Sequence, residues 1–412
     1  MKVARTGPLR RELERALPER PFTLEFWDGS RVEATGARQG SRNGDGDGPG
    51  PTFKVRSPRA IAHVLRAPGQ LGIGRAYVSG ELEIDDIDAV IALLDGWRAP
   101  ALGAGERGRL ALAALAANGL TLPPRPPRAE LRPRGHRRSR ERDERSVRHH
   151  YDLPPEFFGL FLDEGLTYSC AVFSRGAESL AEAQEAKLEM VCTKLGLREG
   201  ERVLDIGCGW GSFALHAATR HGARVVGITL SPPQAARARE RAAAAGVGDR
   251  VEIRVADYRE LGGERFDAIA SIGMVEHVGA ERIDLYAERL AALLEPGGRL
   301  LNHGIARLRH TDPEAGPFSE RYVFPDADPL HLSRVLVALE RAGFETRHVE
   351  GFRDDYAETL RHWARRLDEH HDEALALAGA ERLRVWRLYL RAARNGFETG
   401  FTSIYQVLAS RA

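Results

Sequence analysis

The residues with the clearest chemical potential stand where Arg202-Val-Leu-Asp-Ile-Gly-Cys-Gly-Trp-Gly leaves an apolar run and enters a helical pattern at Ser212. Asp205 followed by Gly207, Gly209 and Gly211 lets a backbone turn tightly and come close to a ligand, and the helix start adds free amide donors. By itself such a turn suits several nucleotide-like cofactors, dinucleotides included. A nicotinamide site wants an acid at the end of the second strand, ~20 residues on, for a ribose hydroxyl. Here that strand ends Val226-Gly-Ile-Thr229-Leu230-Ser231, without an acid and with Gln234 just beyond, while the third strand ends in Asp257-Tyr258.

Four further side chains have chemical types that matter: Cys170, Glu276, His303 and Tyr389. Each also has an ordinary reading. A lone cysteine is commonly a small buried hydrophobe. Glu276 and His277 follow an apolar strand, where a carboxylate is costly to bury without partners. His303, at another strand's end, fits a satisfied core histidine, and Tyr389 sits among Leu383, Trp386 and Leu390 on an amphipathic helix.

The elements that must position these groups read as two regions. From Val147 onward, apolar strands at 202–206, 223–228, 251–255, 266–272 and 298–302 alternate with amphipathic helices, which implies a parallel sheet covered on both faces. The first 95 residues read as a small α+β domain. They hold a helix over 9–17, a strand over 22–26 ending in the turn pair Asp28-Gly29, a strand from Thr52, and helices over 58–66 and 85–94. Arg38–Pro51 is rich in Gly, Asp and Asn and reads as a mobile loop. Between the two, residues 96–146 read as a linker that carries an Ala/Leu helix over 109–117 and a Pro/Arg stretch.

Composition narrows the class. At 412 residues with 42% apolar content, the chain is a globular protein of two or three domains. No run approaches the ~20 apolar residues of a spanning helix, and the N-terminus lacks a signal peptide's apolar segment, so the expected place is the cytoplasm or the cytoplasmic face of a membrane. Cys170, Cys192 and Cys208 have neither CxxC spacing nor accompanying His pairs, so reduced thiols and no metal are expected. The net charge of +1 hides an asymmetry: residues 1–150 hold 27 Lys and Arg against 19 Asp and Glu, and the remainder 33 against 40. Ten arginines fall between Arg125 and Arg148, facing only Glu130, Glu141, Asp143 and Glu144. Such a run is either a solvated linker or a surface for something anionic.

The string D-I-G-C-G-W-G, followed by T-L-S-P-P-Q and A-D-Y, resembles a class I methyltransferase: α/β, with a Rossmann-like doubly wound sheet. Five further motifs narrow the resemblance: His150-Tyr-Asp-Leu-Pro-Pro-Glu-Phe-Phe, Tyr168-Ser-Cys-Ala, Gly273-Met-Val-Glu-His-Val-Gly, Leu301-Asn-His-Gly-Ile and Tyr389-Leu-Arg-Ala-Ala-Arg-Asn-Gly-Phe. Together they resemble the cyclopropane fatty acid synthase family, with its mycolic acid branch, over about residues 147–412. Residues 73–94 are similar to the N-terminal domain of the bacterial enzymes.

That resemblance implies S-adenosylmethionine as cofactor. Gly207 and Gly209, beside Asp205, would pass its methionine part, Thr229, Leu230 and Gln234 would meet its ribose region, and Asp257 with Tyr258 would border its adenine. Tyr168 and Ser169 would close over it. It also implies a bicarbonate held by Cys170, Glu276, His303, Tyr389 and the backbone of Ile305. The chemistry needs such a base: methylating an unactivated alkene makes a carbocation, which must then lose a proton inside a dry pocket.

The implied substrate is an unsaturated acyl chain of a membrane phospholipid and the implied product a cyclopropane. The implied N-terminal domain is lipid-associated, the surface it works on is an anionic membrane, and the family suggests a homodimer. Asn302 and Leu388 depart from the family pattern in ways expected to bear on the cation's fate, which leaves a methylene or methyl-branched product as an alternative. Two other readings remain at this stage: a methyltransferase for a small molecule or nucleic acid, and a non-catalytic lipid-binding protein. No aromatic residues interleave with the arginines, and no nucleic-acid-binding fold is evident, so no nucleic-acid partner is expected.

Overall fold

The computed structural model describes residues 6–35, 50–119, 124–131, 153–309, 317–323 and 327–412. Most of the Arg38–Pro51 loop, the arginine run from Arg132 on and the opening His150-Tyr-Asp of the first motif lie outside the described residues. The chain divides into two units, one made of Met1–Arg132, Gly316–Val323 and Ala378–Ala392 and the other of Pro133–Ala315, Phe324–Leu377 and Ala393–Ala412.

The first unit is built on a four-stranded sheet in the order β2-β1-β3-β4, from β1 (Thr23–Phe26), β2 (Arg31–Val32), β3 (Thr52–Val55) and β4 (Leu82–Ile84). Gly29, at φ +78°, supplies the left-handed backbone that lets β1 fold back on β2. Phe26, Val32, Val55 and Leu82 point into a core that also takes Leu9, Ala60 and Ala76. Ala113 and Ala117 complete that core, so the helix Ala104–Asn118, read from sequence as part of a linker, is an integral layer of this unit. Its small residues four apart lie on one face and let it pack closely.

Two later segments also belong here, although the sequence reading placed them in the C-terminal region. Phe318 seats against Gly74, where an added Cβ would fall 2.3 Å from the ring. The buried Glu130 carboxylate takes Arg75 at 2.7 and 2.6 Å and the Tyr322 hydroxyl at 3.1 Å. Arg391 donates to Asp88 at 2.9 Å.

The second unit holds a seven-stranded sheet in the order β10-β11-β9-β8-β5-β6-β7, comprising β5 (Arg202–Ile206), β6 (Arg224–Thr229), β7 (Val251–Val255), β8 (Phe266–Ile272), β9 (Leu294–Arg307), β10 (Phe344–Gly351) and β11 (Thr402–Arg411). Strands β5 to β9 pair in parallel and β11 pairs antiparallel with both its neighbours. The expected doubly wound sheet is therefore present, extended by two antiparallel strands. Along β5 the apolar residues alternate between faces: Val203 packs with helices Leu180–Leu195 and Ser212–Arg220, and Leu204 and Ile206 with helices Ile283–Leu293 and Leu332–Arg341. Each such side chain, buried outright, contributes about 1.5–3 kcal/mol. Chain order reverses between β5 and β8, and the carboxyl ends of strands at such a switch point open a crevice where ligands bind.

Candidate active site

The glycine turn lies at that crevice, and its glycines are needed for different reasons. The N–H groups of Gly207 and Cys208 both donate to the Ile228 carbonyl, at 3.0 and 2.9 Å, which folds the turn back over β6. Gly211 lets the following helix seat on helix Pro232–Ala244, since a Cβ there would meet Ala238 at 3.1 Å. Gly209, at φ +54°, faces open space: a Cβ would meet nothing within 4 Å. Backbone at 209 is thus free to be approached by a ligand.

Asp205 is buried at the end of β5, and its Oδ2 has no hydrogen-bond partner among the described residues. Burial pushes its carboxyl up to about 7, against the pull of the Lys187 ammonium. A buried carboxylate oxygen without a donor is costly unless a ligand supplies one. At the end of β6, Thr229 donates to Gln234 Oε1 at 2.8 Å and accepts from the Ser231 N–H at 3.2 Å, with Leu230 half-buried between them. Asp257 is gripped by Arg259 at 2.9 and 2.5 Å, and Tyr258 stands edge-on to Tyr286 at 5.5 Å. Arg259 was missed in the sequence because only the turn after β7 brings its guanidinium back on Asp257.

A second segment is strapped to the sheet by helix Leu180–Leu195. Gln184 donates to the carbonyls of Thr167 and Ser169 at 3.1 and 2.9 Å, and the fully buried Lys187 donates to Ser169 Oγ at 2.9 Å. Burial pulls that ammonium down to about 8. Arg241 bridges this segment to the glycine turn, donating to the carbonyls of Gly165 and Trp210 at 2.7 Å each. Tyr168 stacks on Trp363 with ring centres 5.2 Å apart.

The third group gathers where β8 and β9 end. Gly273 N–H donates to the His303 carbonyl at 2.8 Å, which places the short helix Val275–Val278 against β9. Gly304 is required there, because a Cβ would lie 2.1 Å from Val275 Cγ1 and 3.2 Å from Glu276 Oε2. Glu276 is buried; its carboxyl rises to about 7 through burial, despite the opposing backbone N–H groups of its own residue and of Ile305. Its Oε2 has no hydrogen-bond partner among the described residues.

His303 is fully buried, and its ring is pushed down to about 3, first by burial and then by Lys187 and Lys194, so it is neutral at working pH. Its tautomer follows from its neighbours. Lys194, donor only, gives hydrogen bonds to Glu350 at 2.6 Å and to Gln406 Oε1 at 2.7 Å, so the Gln406 amide nitrogen faces His303 Nδ1 at 3.0 Å. Nδ1 accepts, the proton sits on Nε2, and that buried donor has no partner among the described residues. Phe352 ties Cys170 to this group: its carbonyl receives the thiol at 3.8 Å and its ring stacks on His303 at 6.1 Å. Burial holds the Cys170 thiol well above its ordinary value, so it is a donor rather than a nucleophile.

The second unit thus places Glu276, His303 and Ile305 at the ends of β8 and β9, with Cys170 joined to them through Phe352 and the glycine turn of Asp205, Gly207 and Gly209 at the end of the neighbouring strand β5. Tyr389 lies in the first unit, edge-on to Trp386 at 5.7 Å. Asn302 was expected to bear on the fate of a cation. The strand instead turns it to the face opposite His303, where it accepts from the Tyr286 hydroxyl at 2.9 Å, itself 2.6 Å from Ser271 Oγ. It is a satisfied buried polar group.

Known proteins share the sequence and the fold. The family model described as mycolic acid cyclopropane synthetase matches residues 138–407. A probable fatty acid methyltransferase of Mycobacterium tuberculosis is 36% identical over 97% of this chain and 93% of its own length. The cyclopropane-fatty-acyl-phospholipid synthase of Escherichia coli K12 is 33% identical, covering 87% of each. The solved structure of mycolic acid cyclopropane synthase CmaA1 complexed with SAH and CTAB superimposes with a TM-score of 0.62 at 32% identity, over 65% of this chain and 98% of that one. With the class I fold, the glycine turn and a family match over most of its length, the chain belongs to the mycolic acid cyclopropane synthetase family and is an S-adenosylmethionine-dependent methyltransferase.

Proposed function

We propose that the chain transfers the methyl group of S-adenosylmethionine to the double bond of an unsaturated fatty acyl chain in a membrane phospholipid, giving a cyclopropane fatty acid through a carbocation. The observation that carries the reading is the pair of buried, unpartnered atoms, His303 Nε2 and Glu276 Oε2, beside the glycine turn. A buried donor and a buried acceptor at the neighbouring ends of β9 and β8, each lacking a partner among the described residues, fit a small oxyanion such as bicarbonate. The open backbone at Gly209 and the unpaired Asp205 Oδ2 likewise fit the cationic, amine-bearing end of the cofactor.

In this reading the relay Glu350–Lys194–Gln406 holds His303 as a neutral Nε2–H donor, and the protonated Cys170 cannot be alkylated as a thiolate. Glu276, with its carboxyl near neutrality, adjusts the charge of the site. Gln184 and Lys187 hold Tyr168 and Ser169 over the cofactor, where their bulk keeps water from the cation. Bound bicarbonate would supply the base that takes the cation's proton. Tyr389 joins the set through the family resemblance alone. Both a cyclopropane synthase and a fatty acid methyltransferase stand among the relatives, so a methylene or methyl-branched product is the second reading.

The full chain, incubated with methyl-labelled cofactor and vesicles, is expected to label monounsaturated phospholipid and leave fully saturated phospholipid unlabelled. Equal labelling of both, or label in the head group, would overturn the reading.

No helix among the described residues is long and apolar enough to cross a membrane. The enzyme therefore needs a way to stay at the lipid surface, and the arginine run offers one, each arginine being worth on the order of 1 kcal/mol near an anionic surface. Replacing Arg137, Arg138, Arg140 and Arg142 with Gln is expected to weaken binding to anionic vesicles several-fold, to flatten its salt dependence and to leave cofactor affinity unchanged. Co-sedimentation over a salt series measures this; identical sedimentation of variant and parent would reduce the run to a solvated linker.

A further inference from the structure

Beside the buried Gln184 and Lys187, on another stripe of helix Leu180–Leu195, a second cluster of ligand-type side chains converges. The helix contributes Glu189 and Cys192, three residues apart and so on one face. Helix Ser212–Arg220 contributes His216, and His221 is the residue at which that helix ends. The two imidazoles point their Nε2 atoms at one carboxylate oxygen, Glu189 Oε2, at 3.0 and 3.1 Å. Cys192 Sγ and the imidazole ligand atoms all lie within 4.8 Å of one another. The other Glu189 oxygen receives the Thr193 hydroxyl at 3.2 Å, which orients the carboxylate and leaves Oε2 for the shared point. Nearby, Arg220 and Glu185 pair at 2.8 Å and hold the same two helices together.

We propose that Cys192, His216, His221 and Glu189 form a zinc site, separate from the methyl-transfer centre, that clamps helix Leu180–Leu195 to the end of helix Ser212–Arg220. The donor set is one sulfur, two imidazole nitrogens and one carboxylate oxygen. That is a four-ligand set of the borderline-soft kind that zinc takes in tetrahedral geometry, with bonds of about 2.0–2.3 Å. Ligand atoms around such an ion stand about 3–4 Å apart, close to the spacing already present among Glu189, His216 and His221. Binding balances in charge and protons: the Cys192 thiol releases its proton to solvent, both imidazoles carry theirs on Nδ1, and thiolate plus carboxylate neutralise the dication. Sequence spacing hides the site, because His216 and His221, five apart, would diverge on a continuous helix. They converge only because the helix ends between them, with His221 at φ −114° and ψ −1°.

The consequence is mechanical. The clamped helix also carries Gln184 and Lys187, which hold Ser169, so the ion braces the support of the cofactor segment.

The test uses the full chain, stripped with a chelator and then titrated with zinc or cobalt(II). The parent is expected to bind one equivalent, to show the thiolate-to-cobalt charge-transfer band with the visible bands of a tetrahedral ion, and to gain thermal stability with zinc. Cys192→Ser is expected to lose the charge-transfer band and the zinc-dependent stabilisation. Glu189→Gln and His221→Asn, at partly exposed side chains where folding is not at risk, are expected to weaken zinc binding about tenfold or more. Absence of stoichiometric binding by the parent, or affinity unchanged in Glu189→Gln and His221→Asn, would overturn the proposal.

Discussion

Glu276→Gln is expected to lower turnover by about 10²–10⁴-fold, the usual worth of a positioned acid–base group, while cofactor affinity stays within a few-fold of the parent. Glutamine keeps the shape and most of the packing but removes the charge and the proton exchange. The same substitution is expected to stabilise the protein at alkaline pH. The folded-state carboxyl, raised to about 7 from an ordinary 4.5, stays protonated while the unfolded chain ionises, so native stability falls as pH rises from 4.5 to 7. At one pKa unit per ~1.4 kcal/mol, the cost levels off near ~3 kcal/mol above pH 7. Glutamine is free of it, so its advantage in thermal unfolding should be absent at pH 4 and full at pH 8. A purely structural glutamate would not combine lost turnover with gained stability. His303→Ala should also lose activity with cofactor affinity intact; full activity in both variants would remove these residues from the chemistry.

Gly209→Val is expected to abolish cofactor binding by calorimetry without unfolding the protein. A valine there fills the space through which a ligand reaches the backbone, and it also forces a β-branched residue to φ +54°, a strain of about 1–2 kcal/mol. The two effects separate by a control. Gly196 has nearly the same backbone, φ +59°, and equally open surroundings, but it caps the far end of helix Leu180–Leu195. Gly196→Val should show the same strain in thermal unfolding and undiminished cofactor affinity. Equal affinity in both variants would move the cofactor elsewhere.

The parts legible in the sequence are those where local pattern and fold coincide. The glycine turn and the five parallel strands could be read because a buried parallel strand is a short apolar run and the turn needs glycines at set places. Strand β10 went unread since Glu345, Arg347, His348 and Val349 leave it mostly exposed, and β11 because its pairing partners lie about 100 residues back on β9. Gln406 and Lys194, which fix the tautomer of His303, are separated from it by the same kind of distance, and no spacing rule reaches across it. The helix Ala104–Asn118 looked like linker because its apolar face is mostly alanine, a weak signal until Leu9 and Val32 are seen opposite it.

The most direct test of the central claim follows the atoms of the methyl group. The full chain is incubated with S-adenosylmethionine bearing a trideuterated methyl group and with vesicles of monounsaturated phospholipid, and the released acyl chains are examined by mass spectrometry and NMR. The account predicts acyl chains that have lost the double bond, gained a ring carbon from the cofactor and kept two of its three deuterons, the third having left in the deprotonation step. Intact trideuteromethyl groups, or acyl chains whose double bonds are untouched, would contradict it.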